Sequence, residues 1–166
     1  MATREYTTFF LDDQLFAIDI LCVREINRML EVTPVQRAPY YIRGLSNLRG
    51  QVITIFDLSD KLNRGPLTPG DDTYNLVLKT NEELAHIAAR ESRDDLVTVH
   101  KDTVSLLVGP IGDVISVDEE AMVPTPANSS TIDGQYLAGV LRHNDELINV
   151  INVSRVLMMN DSPSPH

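Results

Sequence analysis

The stretch YYIRGLSNLRGQVITIFDLSDKL, Tyr40 to Leu62, carries the densest local signal in the chain. Pro39 bounds it, because proline lacks the N–H that a continuing helix or ladder would use. Gly44 and Gly50 then punctuate two short segments. A glycine after Arg49 permits positive φ without steric cost, so Leu48-Arg49-Gly50-Gln51 predicts a tight turn. Val52 to Phe56 is a nearly unbroken β-branched and aromatic run, which predicts a strand buried on both faces. Asp57 ends the run, and Leu58 to Leu62 predicts one helical turn. Arg49 is thereby expected on a turn, held between a short apolar segment and a buried strand.

The same shape returns. Tyr136 to Leu157, YLAGVLRHNDELINVINVSRVL, aligns with Tyr41 to Leu62 without a gap. Tyr41 falls on Tyr136, Gly44 on Gly139, Ile53 on Ile148, Ser59 on Ser154 and Leu62 on Leu157. Most positions between pair apolar with apolar, the mark of an internal duplication. The second copy has Asn144-Asp145 where the first has Arg49-Gly50, so the Arg49 feature belongs to one half only.

Outside this repeat, Tyr6 to Leu11 and Leu15 to Ile20 predict a hairpin around Asp12-Asp13-Gln14. Leu21 to Ile26 fits either a helical turn or a strand continuation, and Pro34 and Pro39 bracket a crossing loop. The run NRGPLTPGDD, Asn63 to Asp72, predicts a linker between the two halves. Tyr74 to Lys79 is a further strand. Asn81 to Arg90 predicts a helix capped by Asn81, with Leu84, Ile87 and Ala88 on one face. Leu96–Val99 and Val104–Val108 predict a hairpin around Lys101-Asp102. Val114–Val117 is another strand, and Asp118-Glu119-Glu120 opens a short helical turn. About ten short strands with turns at close intervals define an all-β barrel or sandwich class. With the duplication, two small barrels side by side are expected. Residues 1–160 are read as one domain and 161–166 as a frayed tail.

Composition narrows the function. The hydrophobic share of 43% can build a core, and with no Trp that core must be mostly aliphatic. No run approaches the roughly 18 to 20 apolar residues of a membrane span, and MATREYTTFF lacks the pattern of a signal peptide. Cys22, the single cysteine, excludes an internal disulfide, fits a reducing cytoplasm and reads as a buried structural thiol. A net charge of −10 opposes nucleic-acid binding. The charge is uneven: residues 24–64 hold seven of the 14 Lys and Arg against four acids, while residues 71–120 hold twelve acids and four bases. A basic patch on an acidic protein fits steering toward an acidic protein surface, and equally fits a solvated face.

No catalytic constellation emerges. Asp12-Asp13, Asp71-Asp72 and Asp94-Asp95 are turn carboxylates whose side chains point apart. His86, His100, His143 and His166 have no metal-ligand spacing with one another or with Cys22. Gly109-Pro110-Ile111-Gly112 is no phosphate loop, because Pro110 removes a donor and no Lys-Ser/Thr follows. The sequence implies no metal and no cofactor, and points to a binding module.

One family matches these residues. The series Phe16-Ala17-Ile18-Asp19-Ile20, Val23-Arg24-Glu25-Ile26, Pro34, Pro39, Tyr41-Ile42-Arg43-Gly44, Asn47-Leu48-Arg49-Gly50-Gln51-Val52-Ile53 and Asp57-Leu58 resembles the CheW family of bacterial chemotaxis adaptors. The likeness runs from about Glu5 to Met158. It implies two five-stranded SH3-like barrels packed on a shared apolar core. It also implies a non-enzymatic adaptor linking the regulatory domain of a chemotaxis histidine kinase to the cytoplasmic tip of chemoreceptors. Such a protein is cytoplasmic and recruited to receptor arrays, with no membrane insertion. The resemblance places Val23, Glu25, Ile26 and Arg49 toward the receptor, with Glu25 and Arg49 as an ion pair. Gly44 and Gly50 would allow close backbone approach, by a partner or by the turn itself. Three departures stand out: an insertion over 80–100, Thr54 and Asn152 in place of the usual Pro and Asp, and Gly109-Pro110 at a commonly acidic position. The alternatives left open are an adaptor of a non-flagellar pathway and a small ligand-binding or enzymatic barrel. An SH3-like nucleic-acid reader is disfavoured by the acidity.

Overall fold

The computed structural model describes residues 3–28, 30–70, 72–93, 96, 102–124 and 134–158. These form eleven strands in two sheets. One sheet has the order β3 (Val23–Asn27), β6 (Tyr74–Leu78), β7 (Val104–Val108), β5 (Gln51–Asp57) and β4 (Ile42–Leu48). The other has the order β8 (Ile111–Asp118), β1 (Thr3–Leu11), β2 (Gln14–Asp19), β11 (Glu146–Ile151), β10 (Leu137–His143) and the two-residue β9 (Met122–Val123).

Both copies of the repeat fold alike. Each is a hairpin with a two-residue turn at positive φ: Arg49 (52°) and Gly50 (85°) in one, Asn144 (50°) and Asp145 (64°) in the other. Such turns match the twist of the flanking strands. The ladders slip at the same place, between Ile42 and Gly44 and between Leu137 and Gly139. Short helices follow, α1 (Leu58–Lys61) capped by Asp57 and α3 (Val153–Val156) capped by Asn152. The equivalence goes beyond the aligned residues. Thr54 pairs in parallel with Val104, and its counterpart Asn149 pairs in parallel with Phe16. The bridge between Thr33 and Leu45 matches the pairing of Val123 with Val140. The order β4-β5-β7-β6-β3 is thus repeated as β10-β11-β2-β1-β8. This is the expected pair of five-strand barrels.

The boundary between them differs from expectation. Residues 63–72 join α1 to β6, inside one sheet, and do not separate the halves. The chain changes sheets between β2 and β3, through a 3₁₀ turn at Ile20–Cys22, and again at Gly109-Pro110 between β7 and β8. Leu21–Ile26 therefore satisfies both alternatives, as a turn followed by a strand. At the second crossing Gly109 N–H donates to Phe10 O at 3.0 Å and Phe10 N–H donates to Pro110 O at 2.8 Å. A Cβ on Gly109 would lie 2.5 Å from Phe10 O, so a side chain there is excluded by the packing.

Strand alternation sorts apolar residues into three cores. Ile53, Ile55, Val77 and Leu107 fill one barrel, and Tyr6, Ala17, Ile115, Leu141, Ile148 and Val150 fill the other. The largest core lies between the sheets and draws on both, with Phe9, Phe16 and Ile18 against Tyr41, Phe56, Leu58 and Leu76. Ile53 and Ile55 alternate with Phe56 across β5, which explains its burial on two faces. Val52, expected inside, is 60% exposed because it lies at the strand's turn end. The predicted helix is α2 (Asn81–Glu91), with Leu84 and Ile87 buried in the shared core and Ala88 against it. Its cap is Thr80, not Asn81. Thr80 and Glu83 form a capping box that satisfies two amide donors reciprocally. Asp118 caps a 3₁₀ turn at Glu119–Ala121. Cys22 is buried. The expected strand over 96–99 and its hairpin turn, along with the 161–166 tail, lie outside the described residues apart from Leu96 and Asp102.

Candidate functional site

The two edges of the first sheet, β3 and β4, meet through side chains rather than a ladder. Arg49 stands on the β4–β5 turn with its side chain 67% exposed, and its Nη2 donates to both carboxylate oxygens of Glu25 on β3, at 2.6 Å for Oε2. The hydrogen bond from Arg49 holds the Glu25 carboxyl below the usual carboxylate range. The same contact raises the Arg49 guanidinium. Next to this pair, Arg24 Nη1 donates to Gln51 Oε1 at 3.2 Å, and Gln51 Nε2 donates to Thr103 Oγ1 at 2.9 Å. A positive turn is thereby tied to an edge strand that also presents aliphatic side chains.

Each expected site residue can be placed on this surface or off it. Val23 is half-buried against the shared core. Ile26 is 42% exposed on the same strand. Gly50 is exposed at φ +85° with nothing within 4 Å of a built Cβ, so turn geometry alone accounts for it. Gly44 is different. It is buried at φ +147°, and a Cβ there would meet Thr33 O at 2.1 Å and Pro34 Cα at 2.9 Å. The close approach is made by the chain's own bridging segment. Gly139 holds the equivalent place, with Val123 O at 2.5 Å from a built Cβ.

Sequence reasoning missed three polar contacts. Arg24 Nε donates to Glu83 Oε2 at 3.3 Å, and its Nη2 donates to Glu83 Oε1. That bond lowers the Glu83 carboxyl. The spacing Thr80…Glu83 was the available signal, though it announces a cap and not a partner. Arg43 Nε reaches the fully buried Asp57 at 3.1 Å, and Leu67 N–H donates to the same carboxylate at 2.9 Å. Burial pushes the Asp57 carboxyl up, against the pull of these donors. Lys61 is also fully buried. Its Nζ lies 3.8 Å from the Tyr41 ring centroid and 5.4 Å from that of Tyr136, and donates to Met158 O at 2.9 Å. Desolvation pulls its pKa down to about 8.

Two clefts open on the molecule, the first of them beside Arg43. One of about 350 Å³ opens between Leu30, Val32, Pro34, Arg43, Pro69 and Leu107. Another of about 220 Å³ lies at the crossing between sheets, beside Tyr6, Asp19, Cys22 and Asn152. Among the described residues, no three His, Cys, Asp or Glu side chains gather as metal ligands.

The fold defines a class: a duplicated pair of SH3-like β-barrels. The family model of the CheW-like domain matches residues 5–161, and the chain belongs to this family. Its relatives include a probable chemotaxis protein CheW from Rhizobium etli, 31% identical over 96% of this chain and 90% of that one. The chemotaxis protein CheW of Rhizobium meliloti is 30% identical over 92% and 86%. Protein FrzA of Myxococcus xanthus is 27% identical over 93% and 85%. The crystal structure of the scaffolding protein TtCheW from Thermoanaerobacter tengcongensis shares the fold, with a TM-score of 0.76 at 23% identity, covering 98% of this chain and 93% of that chain.

Proposed function

We propose that this chain is a non-enzymatic adaptor that couples chemoreceptors to a chemotaxis histidine kinase. The observation that carries the reading is the Glu25–Arg49 pair at the rim of edge strand β3, which exposes Ile26 on its other face. A charged pair fixes the register of a docking helix, and exposed aliphatic side chains on the same strand supply its apolar contact. Val23, Glu25, Ile26 and Arg49 make up the receptor-facing set, with Gly50 shaping the turn that carries Arg49, and the kinase regulatory domain docks barrel to barrel. Gly44 supports this surface from inside the fold. The protein acts in the cytoplasm at membrane-associated receptor arrays. No helix among the described residues is long and apolar enough to cross a membrane.

The test is calorimetric titration of the full chain with two partners from the same genome, a receptor cytoplasmic hairpin and the kinase regulatory domain. Arg49→Glu is expected to weaken hairpin binding, and Glu25→Arg with Arg49→Glu to recover part of it. Binding to neither partner by the wild type ends the adaptor reading. Hairpin binding indifferent to Arg49→Glu moves the surface elsewhere.

A further inference from the structure

The insertion that carries α2 grips the segment leading into β3. Lys79 N–H donates to Cys22 O at 2.9 Å and Lys79 Nζ donates to Leu21 O at 3.0 Å. One turn into α2, Glu83 pairs with Arg24. Just past the helix, Arg93 pairs with Asp19, both side chains largely buried at 14% and 15% exposure. Asp19 also accepts from Leu21 N–H at 3.0 Å. Every end of the crossing from Asp19 to Arg24 is therefore held by residues 79–93, while Leu84 and Ile87 anchor the helix in the core beneath.

Arg24 is the point where this grip acts on the docking surface. The β3–β6 register slips between Val23 and Glu25, so Arg24 is the bulged residue. A bulge disrupts the ladder locally and re-aims the side chains around it. Val23 and Glu25 keep their partners Leu78 and Val77 on either side of the bulge, and Arg24 between them is held by side-chain contacts. Those contacts are Glu83 on α2 and Gln51 beside the Arg49 turn. A chain of polar contacts runs from α2 through Arg24 to the turn that bears Arg49.

We propose that residues 79–93 form a clamp that sets the aim of β3, with Glu83 and Arg93 as positioning residues for the receptor-docking surface. The proposal rests on the docking role assigned to β3 above. Its test is Glu83→Gln in the full chain, a change that keeps the capping box and removes the charge facing Arg24. Amide shifts of Ile26 and Gly50 are read by NMR, and affinity is read for the receptor hairpin and for the kinase regulatory domain. The expected result is that both amides move and hairpin affinity falls about fivefold while kinase-domain affinity holds. Unmoved amides, or unchanged hairpin affinity, overturn the clamp. If the wild type binds no hairpin, the receptor-docking role of β3 fails separately, and the amides alone decide whether the clamp aims β3. Should Glu83→Gln lose the fold, Arg93→Gln at the other end of the clamp is read by the same measures, with Arg93→Lys expected to restore them.

Discussion

A methyl group at position 44 would sit 2.1 Å from the Thr33 carbonyl oxygen, inside any tolerable contact, on a backbone at φ +147°. Gly50 shares the positive φ but faces open space. The two glycines sit in one hairpin, Gly44 within β4 and Gly50 in its turn, and look alike in the sequence, yet they answer to different physics. Gly44→Ala is expected to cost on the order of 3 kcal/mol, from overpacking added to backbone strain, and Gly50→Ala about 1 kcal/mol from strain alone. Urea denaturation midpoints separate them. Lys61 offers a second test at this scale. Its pKa of about 8 lies below that of an unfolded lysine, so between the two values the unfolded chain binds more protons and stability rises with pH. Wild type is expected to gain stability relative to Lys61→Met as pH rises from about 8 toward 10, measured as the difference in urea midpoints. That difference removes Tyr6 and Tyr40, whose pKa values are raised by burial and which act with the opposite sign at the alkaline end.

Among the elements, the short helices α1 and α3 show one geometry met with two chemistries. Asp57 accepts from Asp60 N–H at 3.1 Å, and Asn152 accepts from Arg155 N–H at 3.2 Å. Both caps need only an acceptor. The charge on Asp57 has a separate task, because Arg43 and the Leu67 amide converge on it. Asp57→Ala is expected to cost about 3 kcal/mol by removing the cap and stranding Arg43, and Asp57→Asn about 2 kcal/mol, because an amide that keeps the cap turns its NH2 toward the Arg43 and Leu67 donors. Thermal unfolding of the two variants checks the order. A carboxylate here was legible as the end of a strand. Its ion pair was not, because Arg43 is fourteen residues away and faces it only once the hairpin has closed.

At the level of the whole molecule, the first sheet is contiguous in sequence from β3 to β7, which suggests a separable barrel. The shared core argues otherwise, since Tyr41, Phe56, Leu58 and Leu76 pack on Phe9, Phe16 and Ile18 from the other sheet. A fragment of residues 20–110 holds every strand of the first sheet. It is expected to lack cooperative unfolding, because removing its partner exposes that apolar face to water. Near-ultraviolet circular dichroism with a thermal scan decides the matter, and a sharp transition in the fragment would show that the first barrel stands alone.

The sequence by itself determined what is local. Strands, the tight turn at Arg49-Gly50, the helix over Asn81–Arg90 and the repeat of Tyr41–Leu62 in Tyr136–Leu157 all follow from periodicity, glycine placement and turn residues a few positions apart. The pairing of Glu25 with Arg49 followed from the family resemblance. The tertiary structure alone decided how the halves interleave. The counterparts of β6 and β7 in the second barrel are β1 and β2, taken from the opposite end of the chain, and no local pattern records which strand a hairpin will join. It also decided that Gly44 is closed off by Thr33, that Val52 faces water and that Glu83 holds Arg24. Each of these depends on which surfaces meet after the chain has crossed twice between sheets, and close contact between residues distant in sequence is a property of packing.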